Sequence, residues 1–140
     1  LKLRWINMKG KCSNCIAKYG DHFFMAFRVL VGLMFFMHGA GKLFGWFGAS
    51  AVGFSGLIGA AGVLEFLVGL FVLFGLWTRL SATVGAVVML VAYLYAHLGW
   101  NPLTSGGELA VMYFVAFLVL MKEGAGKWSL ERHITGKERF

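Results

Sequence analysis

Glu65 is the one acid in an otherwise apolar run over residues 56–77, and His38, Lys42, His97 and Glu108 lie near the ends of three further apolar runs. An ionisable group inside a bilayer costs roughly 2.5–3.5 kcal/mol on insertion scales, so each is expected to be partnered or used. His38 and Lys42 are four residues apart and share a helical face, from which they offer hydrogen bonds and positive charge to Glu65. Three chemistries fit this set. One is a buried ion-pair network that pins helices in register. Another is a site for a small anion or a quinone headgroup, with His38, Lys42, His97 and Glu108 as binding groups and Glu65 and His38 as the proton-handling pair. The third is a permeation or proton path.

A second constellation, Cys12-Ser-Asn-Cys15, has the two-residue gap of redox dithiols and of half a zinc site. The chain has only two Cys, so Cys12 and Cys15 as metal ligands would need His22 and another group, or a second subunit. Thiol exchange with a partner, metal binding and incidental thiols all stay open. Tyr93 shares a face with His97 and is a candidate to support it. Trp46 and Trp100 sit just beyond the ends of apolar runs, where amphipathic rings favour the membrane interface.

These residues must be positioned by membrane-spanning helices. The 140 residues are 59% hydrophobic and 14% charged, with several apolar runs of transmembrane length. The expected fold is all-α: a polytopic membrane four-helix bundle, with spans at about 23–43, 57–77, 80–98 and 108–121. The last is short, reaching only about 21 Å against roughly 30 Å of hydrocarbon. The net charge of +7 does not read as nucleic-acid binding, because Lys and Arg are sorted by segment rather than clustered on a soluble domain. Residues 1–22 and 122–140 are basic tails, while the loops 44–56 and 99–107 carry no Lys or Arg. The positive-inside rule then puts both termini in the cytoplasm, in a multi-pass cell-membrane protein. The first apolar run could alternatively be a signal cleaved near Ala49-Ser50-Ala51, but it is long for one. A short interfacial helix is expected at 129–133, with Trp128 at headgroup depth.

Helical periodicity also says which faces meet. Gly62, Glu65 and Gly69 fall on one face, and small residues let backbones approach in a bilayer. Gly39, Gly41 and Gly45 do the same beside His38 and Lys42, so Glu65 is expected between helices rather than against lipid. Arg28 lies about 40° around the helix from Lys42, extending a basic stripe along the first span.

Three ordered segments carry a resemblance: HGAGKLFGWFG from His38, EFLVGLFVLFGLWTR from Glu65, and GELAVMY from Gly107. They resemble the signature segments of the DoxX family of small four-helix membrane proteins, over about residues 23–132. The resemblance implies a membrane subunit of a redox complex acting on a quinone or a small sulfur oxyanion, since relatives include the membrane subunit of an archaeal thiosulfate:quinone oxidoreductase. It equally admits a non-enzymatic scaffold or integrity factor, or a small-solute transporter. His38, Lys42, Glu65, Arg79 and Glu108 match family positions, with Arg79 a turn and topology anchor. The implied partners are the lipid bilayer and redox subunits, with a homo-oligomer left open. No cofactor is firmly implied. Quinone is a candidate substrate, and a b-type haem would want histidines deeper than His38 and His97.

Overall fold

The computed structural model describes residues 18–96 and 105–136. It contains α1 (Gly20–Phe44), a single 3-10 turn (Trp46–Gly48), α2 (Gly56–Phe74), α3 (Thr78–Ala96), α4 (Glu108–Glu123) and α5 (Leu130–Thr135). Among the described residues there is no strand. By length and composition α1, α2 and α3 are able to cross a membrane. With 16 residues, α4 reaches about 24 Å and packs along α3. The result is a helical membrane bundle of four main helices.

Glycine sets where the first two helices stop. Gly45 takes φ 70°, and its N–H bonds back to Gly41 O. Gly75 takes φ 67°, and its N–H closes on Phe71 O and Val72 O. The span expected over 57–77 therefore ends at Phe74, and 75–77 becomes a turn in which Trp77 also has positive φ, 42°. Without a Cβ, Gly75 enters this left-handed state at no steric cost, which no apolar pattern announces.

Two glycine pairs hold α1 against α2, the most extensively packed helix pair. A Cβ on Gly39 would strike the backbone of Phe66 and Gly62 O, and one on Gly69 would strike the backbone of Phe36. A Cβ on Gly32 would lie 2.5 Å from Leu73 N. With little hydrophobic drive between helices in lipid, this close backbone approach supplies the packing. On the other side of the bundle, Gly85 of α3 accepts the ring of Phe117 from α4, 2.7 Å from where a Cβ would stand. Phe117 also stands edge-on to Phe35, with centroids 4.8 Å apart, joining α4 to α1.

The end of the bundle where α1 begins is tied by polar groups. The buried Arg28 donates to Val72 O at 2.7 Å, Leu73 O at 2.8 Å and Trp128 O at 2.7 Å. Arg79 donates to Met121 O and Lys122 O. Both guanidiniums thus bond carbonyls in the last turn of a helix, and both oppose the negative end of its dipole. The expected short helix appears as α5, capped by Ser129, whose Oγ accepts from Arg132 N at 3.3 Å. Its Glu131 is buried and accepts from Trp77 N at 3.1 Å, which holds α5 under the α2–α3 turn. The tails' Cys12 and Cys15, together with His97 and Trp100, lie outside the described residues.

Candidate functional site

Glu65 is at the midpoint of α2, deeper than a span ending at Trp77 would put it. Its face carries Gly62 and Gly69 and turns onto α1, so its side chain is only 1% exposed. Lys42, near the end of α1, lies alongside Gly62, where an added Cβ would meet Lys42 Cβ at 3.1 Å. From there its amine reaches down to Glu65 Oε1 at 2.5 Å. Lys42 keeps 34% of its side chain exposed, so the pair joins a buried acid to a base that reaches the surface. Its backbone carbonyl also accepts from Val52 N and Gly53 N, which folds the 45–55 loop back over the end of α1.

The second carboxylate oxygen, Glu65 Oε2, is buried without a hydrogen-bond partner among the described residues. So is the hydroxyl of Tyr113, a residue of α4 that is 6% exposed. Glu65 and Tyr113 are both lining residues of one cavity of about 150 Å³, together with His38, Lys42, Phe35 and Met89. Leaving a buried polar group unpaired costs about 1–3 kcal/mol, and two of the residues lining this one small cavity each carry such a group. The volume is well below the roughly 300 Å³ at which drug-sized pockets begin and suits one compact headgroup. His38 stands edge-on to the Tyr113 ring, with centroids 5.7 Å apart and planes at 89°. It also borders a more open cavity of about 400 Å³ beneath Trp46 and Phe47.

Of the residues expected to act together, Lys42, Glu65 and His38 meet here. Glu108 does not line this cavity: it is exposed in the first turn of α4, where a carboxylate complements the helix dipole. Arg28 shares the α1 face turned to α2, but it serves the far end of that helix, not the acid. Tyr93 packs partly buried against the core. Arg79 stands just after the α2–α3 turn and donates to carbonyls at the end of α4. Tyr113 was not anticipated as a site residue. Its sequence signals are a hydroxyl within an apolar run and its place at the end of the GELAVMY segment. Among the described residues, no group of three or more His, Cys, Asp or Glu is placed to hold a metal.

The fold and this cavity define a small helical membrane protein with a charged pair and an unsatisfied polar pocket in its interior. The DoxX family model matches residues 23–98, and the chain belongs to the DoxX family. It is similar to an uncharacterized protein of Haemophilus influenzae, 34% identical over 128 residues that cover 84% of this chain and 95% of the relative. A further uncharacterized protein of that organism is 35% identical over 69 residues, covering 48% of this chain and 46% of its own length. No solved structure matches.

Proposed function

We propose that this protein is the membrane subunit of a redox complex and that the cavity at Glu65 takes the head of a quinone or quinol. The observation that carries the reading is the pair of orphaned buried groups, Glu65 Oε2 and Tyr113 Oη, on one small cavity. A quinol hydroxyl donates to Glu65 Oε2, and a quinone carbonyl accepts from the Tyr113 hydroxyl. A small sulfur oxyanion fits less well. Lys42 is already neutralised by Glu65, so an anion would meet an unshared carboxylate oxygen at low dielectric.

In this reading, reducing the quinone takes two electrons and two protons. The electrons come from a partner subunit that oxidises a reduced sulfur compound. Glu65 passes protons, His38 at the cavity edge exchanges them with the surface, and Lys42 holds the carboxylate in place. The basic tails 1–22 and 122–140 are cytoplasmic, and the cavity opens toward the other face. The measurement that tests the site is saturable binding of a benzoquinol by the purified protein, weakened in Glu65→Gln. Binding that is absent, or unchanged in that variant, refutes it.

The closed Lys42–Glu65 pair favours a second reading, a non-enzymatic scaffold in which the pair fixes the register of α1 on α2. Glu65→Gln then lowers the melting temperature and has no binding to remove.

A further inference from the structure

A groove of about 370 Å³ runs between the first half of α2 and the second half of α3, the less closely packed side of α2. Its walls include Leu57 and Leu64 from α2 and Val87 and Val91 from α3, all exposed on helices of membrane-spanning length. The groove therefore opens onto lipid. Its floor is polar, because Lys42 and Glu65 line it, and these two with Ala92 also line the 150 Å³ cavity. An apolar groove and a polar cavity thus meet at the ion pair, and Glu65 Oε2 and Tyr113 Oη, on residues lining the cavity, are buried and unpaired among the described residues.

The geometry points to lateral loading: an uncharged, single-chain amphiphile dissolved in the bilayer enters between α2 and α3. Its chain lies in the groove, and its compact head passes Glu65 into the cavity. This inference rests on the proposed function for the head and adds the route and the ligand's overall form. The head must donate to Glu65 Oε2 and accept from Tyr113. A charged head would unbalance the Lys42–Glu65 pair at low dielectric. The chain gains little by leaving lipid for the groove, since lipid tails are as apolar as its walls. The head then sets specificity, while the groove decides which molecules can deliver it. Ala61 and Ala92, small residues on facing helices, line the groove, and Ala92 also lines the cavity.

The test uses the full chain in lipid nanodiscs and two probes, a benzoquinol with a decyl chain and the same ring without it. Val91→Trp fills the groove from a lipid-exposed position, and Ala61→Phe fills it from the opposite wall. The expected result is at least a tenfold loss of affinity for the decyl probe in either variant, with the tail-less ring within twofold of wild type. Equal effects on both probes, or on neither, overturn lateral loading. If neither ring binds wild type, the quinone reading falls, and dodecanol then tests the groove alone. Stabilisation of wild type by dodecanol that Val91→Trp removes supports the groove, and no stabilisation overturns it.

Discussion

Tyr113→Phe separates a ligand-binding cavity from a structural one. The ring of Tyr113 packs between Phe35, with centroids 5.2 Å apart, and Phe117 at 6.3 Å, with the His38 edge at 5.7 Å. Phenylalanine keeps each of these contacts and removes only the hydroxyl, which is buried and unpaired. An unpaired buried hydroxyl costs about 1–3 kcal/mol, so the variant should be at least as stable as wild type. A ligand that accepts from that hydroxyl loses one hydrogen bond, worth about 0.5–1.5 kcal/mol, or roughly a twofold to twelvefold rise in Kd. Thermal unfolding in detergent and equilibrium titration with a benzoquinone measure the two quantities on one preparation. A variant that is less stable by about 1 kcal/mol or more, with unchanged binding, would show that the hydroxyl supports the fold and would refute this argument.

Three further outcomes follow from the packing. Gly39→Ala puts a methyl hard against Phe66 N and 2.7 Å from Gly62 O and Phe66 Cα, so α1 and α2 must separate by about 1 Å to restore ordinary contact. The expected loss is about 1–3 kcal/mol in detergent unfolding, whereas Gly20→Ala, with nothing within 4 Å, should be neutral. Lys42→Met strands the Glu65 carboxylate and should cost up to about 3 kcal/mol, limited because the acid can take a proton instead. Adding Glu65→Gln should recover most of that loss in a double-mutant cycle. Arg28→Met frees the carbonyls of Val72, Leu73 and Trp128 and should cost at least about 2 kcal/mol. The same variant should speed trypsin cleavage after Lys127, because Trp128 O is the point where Arg28 holds the segment before α5.

The four main helices and the meeting of Lys42 with Glu65 were legible because both rest on period and polarity. A charged residue in an apolar run stands out, and the spacing of Gly62, Glu65 and Gly69 says which face it occupies. What required the structure depends on contacts between segments distant in sequence. Tyr113 joins Glu65 on one cavity because α4 crosses α1 beside Phe35, and an aromatic residue in an apolar run reads as core. Arg28 looked like part of a stripe aimed at Glu65. Its reach to the end of α2 depends on Gly75 stopping that helix, a backbone event invisible to hydropathy. Glu131 gave no warning of burial, since its partner is a backbone N–H in a turn 54 residues away in sequence. Glu108 failed to join the cavity because α4 begins at that residue, which leaves it in an exposed first turn.

The central claim is that Glu65 serves a bound headgroup rather than the fold, and Glu65→Gln tests it most directly. Glutamine keeps the volume, and Lys42, already partly exposed, can extend its amine to the interface. The account predicts that the variant melts within a few degrees of wild type while saturable binding of a decyl benzoquinol weakens at least tenfold. A clear drop in melting temperature with binding intact, or a wild-type protein that binds no quinol, would contradict it.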